Sequence, residues 1–164
     1  IGIAPFAQYE SKVYPLDLLQ KVIDELAMDK TITLFLFGGG QREIDKLNSL
    51  KQDHQNVTVV AGKLKLPQEV ALISHLDLML SMDSGNAHIA AMLGVKVITL
   101  WGATHPYAGF KPFHQPMEYC ITADRTHYPL LPTSVYGNKK VPGYENAMRS
   151  IVPETIITAI KKEL

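Results

Sequence analysis

Cysteine is nearly missing from this sequence: Cys120 stands alone among 164 residues, which excludes a disulfide framework within the chain and suits a reducing compartment. An excess of one charge is missing too, because 16 basic side chains are balanced by 16 acidic ones. The adjacent basic pairs are Lys139-Lys140 and Lys161-Lys162, with no basic stripe, so a nucleic-acid partner is not expected. Apolar runs such as 32–37 fall far short of the ~20 residues of a membrane-spanning helix, and no transmembrane segment is expected. A charged leader with an apolar region and a small-residue cleavage site is lacking, and so is an initiator Met. Ile1-Gly2-Ile3-Ala4 already reads as a strand, and we expect a piece of a longer protein.

What is present is an alternation of two hydrophobic periods. Short runs rich in β-branched residues at 1–6, 31–37, 57–61, 76–82 and 95–100 predict buried parallel strands. Between them, Leu19, Val22, Ile23 and Leu26 recur at i, i+3, i+4 and i+7, predicting a helix over 15–27 with Pro15 in its first turn. Further helices are predicted at 41–50, 67–75, 86–93 and 153–164. Strand and helix in repeated alternation imply an α/β domain, a Rossmann-like doubly wound parallel sheet with its ligand crevice beyond the carboxyl ends of the strands. Residues 104–150 break the rhythm, with one strand expected at 118–122 and a short helix at 144–150.

The segment Asp83-Ser84-Gly85-Asn86-Ala87-His88 lies where the fourth strand gives way to a helix. Ser84 is expected to cap that helix, and Gly85 lets a ligand approach the backbone. The first-turn N–H groups then suit a phosphate, with His88 one turn further in. Asp83 would repel a phosphate, so its expected partners are sugar hydroxyls or backbone groups. The same residues fit an ordinary capped helix start equally well. A Ser84–His88 nucleophile pair lacks the G-x-S-x-G elbow that would support it. Gly38-Gly39-Gly40 has neither the spacing of a dinucleotide site nor that of a P-loop, and serves a tight turn as readily as a ligand. His105, His114, Cys120 and His127 lack zinc-ligand spacing.

The run D-S-G-x-x-H-x-A-A-x-L-G from Asp83 to Gly94, followed by Trp101-Gly102-Ala103-Thr104-His105-Pro106, resembles glycosyltransferase family nine, the ADP-heptose:lipopolysaccharide heptosyltransferases. The resemblance extends to Ala4-Pro5 with Ser11-Lys12-Val13-Tyr14-Pro15, to Phe37-Gly38-Gly39-Gly40 and to Met148–Pro153. Phe6 departs from the small residue usual in that family. The resemblance implies one half of a two-domain GT-B glycosyltransferase, the C-terminal half that binds the nucleotide-sugar donor. It implies that Lys12 contacts the diphosphate, Asp83 holds the sugar, and Ser84, Gly85 and His88 line the phosphate site. Glu43 would lie near the ribose and Leu64 against the base. No catalytic residue is expected in this chain, because the family's base is an Asp of the N-terminal domain.

Transfer of heptose, or a similar sugar, from ADP-heptose to a lipid-linked lipopolysaccharide core or lipid A acceptor is the implied reaction, in the cytoplasm at the inner membrane of a Gram-negative bacterium. The chain has no D-x-D pair to hold a metal at the phosphates, so no cofactor is expected. A nicotinamide oxidoreductase would show G-x-G-x-x-G where this chain has Ala4-Pro5-Phe6-Ala7-Gln8. A non-catalytic nucleotide-binding module would have lost Lys12, Asp83 and His88.

Overall fold

In the computed structural model, which describes residues 1–164, each of the five apolar runs supplies a strand to one parallel sheet. These are β1 (Gly2–Ala4), β2 (Leu34–Leu36), β3 (Val57–Val59), β4 (Leu78–Met82) and β5 (Lys96–Trp101), and a sixth, β6 (Cys120–Thr122), joins the edge. The order is β3-β2-β1-β4-β5-β6, with every neighbouring pair parallel. This is the doubly wound arrangement that the alternating periods imply.

Alternate residues of each strand serve opposite faces. Ile3, Leu78, Leu80, Met82, Ile98 and Leu100 enter the larger core. There they meet Leu19, Val22, Ile23 and Leu26 of α1 (Leu16–Met28), Leu47 and Leu50 of α2 (Gly40–Lys51), and Ile156 and Ile160 of α5 (Pro153–Glu163). Each fully buried aliphatic side chain contributes roughly 1.5–3 kcal/mol relative to exposure. The intervening Ala4, Met79 and Val97 pack on the other face against Ile73 of α3 (Leu66–Ile73) and Ala87, Ala90 and Ala91 of α4 (Gly85–Met92). Alanine at all three buried positions of α4 lets the helix lie close against β4 and β5.

Several elements are shorter than predicted. β2 starts at Leu34 because the Asp29 carboxylate accepts from the Thr31 N–H (2.9 Å) and hydroxyl (2.7 Å), forming a turn where extended chain was expected. α3 ends at Ile73, two residues early. In the irregular stretch, the strand expected at 118–122 is divided between a 3-10 turn at Met117–Tyr119 and β6. The expected helix at 144–150 is a 3-10 turn over Ala147–Ser150.

The loop after β1 is anchored by Tyr14, which is fully buried. Its hydroxyl donates to the Ile151 carbonyl at 2.8 Å. Burial, and then the charges of Glu154 and Asp17, push the phenol well above its ordinary pKa, so it stays a neutral donor. Tyr14→Phe keeps the ring but leaves the carbonyl without its partner. We expect a loss of about 1–3 kcal/mol in urea unfolding. An unchanged midpoint would show that the bond contributes nothing to holding this loop.

Candidate functional site

β1 lies between β2 and β4, so the chain leaves its carboxyl end on one side of the sheet and returns on the other. That reversal opens a crevice at the carboxyl ends of β1 and β4. The loop following β1, the β4–α4 turn and the loop following β5 converge there. Lys12 closes a 3-10 turn over Glu10–Lys12. Its Nζ lies 2.8 Å from Asp83 Oδ2, and the two side chains are only 12% and 6% exposed. Thr104 Oγ1 donates to the same oxygen at 2.9 Å. Oδ2 thus holds two donors, while Oδ1 accepts no hydrogen bond from the protein and keeps access to solvent.

This geometry revises the capping expected of Asp83 and Ser84. Of the two partners expected for Asp83, backbone groups are not capped; its carboxylate takes the ammonium of Lys12 through Oδ2 and keeps Oδ1 for another partner. Ser84 occupies the N-cap position of α4 with φ −151°, yet its side chain makes no capping hydrogen bond. Its hydroxyl lies 3.1 Å from that of Ser81, whose side chain is fully buried beneath the turn, and this competing partner draws it away from the helix. The Ser84 hydroxyl is paired with Ser81 and not with His88.

Gly85 is exposed at the start of α4, and a Cβ placed on it would meet nothing within 4 Å. The fold does not need glycine there, because the space beside it is open. His88 stands one turn further along α4, half-buried. Lys12, Asp83, Ser84, Gly85 and His88 therefore gather at one end of β1 and β4.

Glu43 and Leu64 follow β2 and β3 and are held by other contacts. Glu43 Oε2 accepts the Gly39 N–H at 2.7 Å, which braces the glycine turn in front of α2. Gly40 takes φ +73°, a left-handed conformation that a side chain would strain, so the turn itself explains that glycine. A Cβ on Gly38 would come within 3.2 Å of Glu43, Leu47 and Phe6, so the bulky Phe6 is accommodated by a glycine opposite it. Leu64 is half-buried against the smaller core cluster.

The four residues weighed as zinc ligands have separate surroundings, and no three His, Cys, Asp or Glu side chains converge. His105 Nδ1 accepts the Tyr107 N–H at 3.3 Å; burial, and then the charge of Arg125, lower its pKa. Burial raises the pKa of the Cys120 thiol. His114 packs edge-to-face with Phe113, and His127 with Tyr128.

Sequence reasoning overlooked Thr104, which appeared in it only as part of a matching run. A signal was available: β4 and β5 are parallel neighbours with Met82 opposite Leu100, so polar residues just beyond both strands must emerge at the same sheet end.

Relatives agree with this architecture. Lipopolysaccharide heptosyltransferase 3 of Escherichia coli K12 is 29% identical over 169 residues, which covers 100% of this chain and 46% of that protein. The structure of E. coli heptosyltransferase WaaC with ADP matches at a TM-score of 0.76 and 18% identity, covering 99% of this chain and 44% of that one. WaaC with ADP-2-deoxy-2-fluoro heptose matches at a TM-score of 0.70 and 19% identity, covering 99% and 43%. At these identities the structural likeness is one of fold. The chain spans less than half the length of these relatives. The family model Glycosyltransferase family 9 (heptosyltransferase) matches residues 1–138, most of the chain, and the chain accordingly belongs to glycosyltransferase family 9.

Proposed function

We propose that this chain is the donor-binding part of a heptosyltransferase. It binds ADP-heptose, and the whole protein transfers the heptose to a lipopolysaccharide core or lipid A acceptor. The observation that carries this reading is the cluster of Lys12, Asp83 and the uncapped start of α4 at the switch point of the sheet. ADP in the WaaC structure and the heptosyltransferase name of the E. coli relative support the choice of donor.

Sugar transfer needs a base to deprotonate the acceptor hydroxyl and positive groups to stabilise the departing diphosphate. This chain supplies the second. A lysine ammonium carries three donors, so one can remain on Asp83 while the others meet phosphate oxygens. The N–H groups in the first turn of α4 add their partial positive charge. Asp83 Oδ1 is the acceptor for a sugar hydroxyl. Glu43 and Leu64 take the ribose and the base. With that charge in place the diphosphate needs no metal, and binding is metal-independent. The base lies in the part of the protein outside this chain, so these 164 residues bind donor and do not transfer it. No helix is long and apolar enough to cross a membrane. The whole protein works from the cytoplasm at the inner membrane, where its lipid-linked acceptor is displayed.

Titration of ADP, UDP and NAD, followed by amide shifts in NMR spectra, tests this. ADP should bind and move the signals of Lys12 and of residues 83–88, with an affinity within about threefold whether Mg²⁺ or a chelator is present. Gly85→Ala sharpens the test. The new methyl meets no protein atom, and the exchange should leave stability equal or improve it by up to about 1 kcal/mol. The methyl intrudes on the crevice, so ADP affinity should fall about tenfold. Binding of NAD alone, or shifts remote from this cluster, would sink the assignment.

A further inference from the structure

We infer that Thr104 is a positioning residue of the donor site, holding the Asp83 carboxylate so that one oxygen is kept for Lys12 and the other is turned to the sugar. The inference rests on the donor-binding reading above. Thr104 is only 2% exposed, and its hydroxyl proton is committed to Asp83 Oδ2, the oxygen that also holds Lys12. With two donors on Oδ2, rotation of the carboxylate would break both contacts. Oδ1 is thereby fixed as the acceptor that keeps solvent access.

The surroundings hold Thr104 itself in place. The neighbouring Ala103 is pinned on both sides, its N–H donating to the Ser11 carbonyl at 3.2 Å and its carbonyl accepting from the Thr133 N–H at 2.9 Å. Gly137, with φ +72°, lies directly over the pair: a Cβ there would come within 2.9 Å of Thr104 Cγ2 and 3.2 Å of Lys12 Cγ and Cδ. The Ser11 hydroxyl donates to the Gly137 carbonyl at 2.6 Å and closes the strap over Lys12. Close packing explains the Thr104 methyl group. It does not explain the hydroxyl, which a valine of the same shape would lack.

Thr104→Val and Thr104→Ser therefore separate packing from positioning. ADP and ADP-heptose affinities are measured by calorimetry for the unsubstituted chain, both variants and Asp83→Ala. The Val variant should bind ADP-heptose about tenfold more weakly while its ADP affinity stays within about twofold, and the Ser variant should recover the loss. An equal loss for both ligands, or a loss that Ser does not recover, assigns Thr104 to packing and overturns the inference. So does a Val variant that keeps the full preference for ADP-heptose while Asp83→Ala loses it, an outcome that leaves the donor reading standing. If the unsubstituted chain and Asp83→Ala discriminate equally between the two ligands, Asp83 does not hold the sugar. The donor reading of that residue then fails, and the inference fails with it.

Discussion

Lys12→Ala should destabilise the chain by about 3–5 kcal/mol and weaken ADP binding about 10- to 100-fold. The stability loss follows from burial: the Asp83 side chain is 6% exposed and would keep only the Thr104 hydroxyl as partner once the ammonium is gone. A carboxylate left in that position has lost its counter-charge and keeps solvent only at Oδ1. The affinity loss has two parts, a charge-assisted contact to the diphosphate removed and a negative charge beside that diphosphate uncovered.

Asp83→Asn should behave differently. It frees Lys12 for phosphate and removes a repelling charge, so ADP affinity should hold or rise while ADP-heptose affinity falls. In Lys12→Ala with Asp83→Asn, the two losses should not add. The double variant should recover about 1–3 kcal/mol of stability relative to the sum of the single changes, and part of the ADP affinity. Urea unfolding and calorimetric ADP titration of the four proteins measure this. Strict additivity in both would mean that the 2.8 Å ion pair has no energetic content.

How far this site can be read from sequence depends on the range of the interactions that build it. The buried strands and α1 are written in local patterns. Leu19, Val22, Ile23 and Leu26 share one helical stripe, and all four are fully buried. The start of β2 was misplaced because one side chain, Asp29, diverts the chain into a turn before the ladder begins. Residues 104–150 were opaque for a different reason. They are held by isolated long-range bonds, such as Ser11 to Gly137 and the Asp124 N–H to the Ser150 hydroxyl, which leave no period in the sequence. Lys12 and Asp83 were both legible as candidates from their places at strand ends and from the family resemblance. Their pairing was not legible, since 71 positions separate them and only the parallel adjacency of β1 and β4 brings them together. Ser84 shows the limit of local rules: a good capping residue type found a better partner in Ser81, which no helix-start pattern includes.

Gly102→Ala should lower both stability and ADP affinity, although residue 102 carries no functional group. A Cβ on Gly102 would lie 2.5 and 2.6 Å from Met148 Sδ and Cγ, and 2.7 Å from the carbonyl oxygen of Ser11. Met148 could swing aside only by disturbing the larger core, where it is 5% exposed. The Ser11 carbonyl is less able to give way. It is backbone, it accepts the Ala103 N–H at 3.2 Å, and it sits one residue before Lys12. Inserting one methyl group into such packing costs about 1–3 kcal/mol. The relief available is to push the loop after β1 outward, which carries Lys12 away from Asp83 and from the crevice. We therefore expect a lower unfolding midpoint together with at least tenfold weaker ADP binding. Gly39→Ala is the control, because a Cβ there meets nothing within 4 Å and its φ of −143° suits any residue; both quantities should stay near those of the parent chain. If Gly102→Ala lowers stability but leaves ADP affinity intact, the core has absorbed the strain through Met148, and the close approach of Ser11 to Gly102 is not what holds Lys12 at the site.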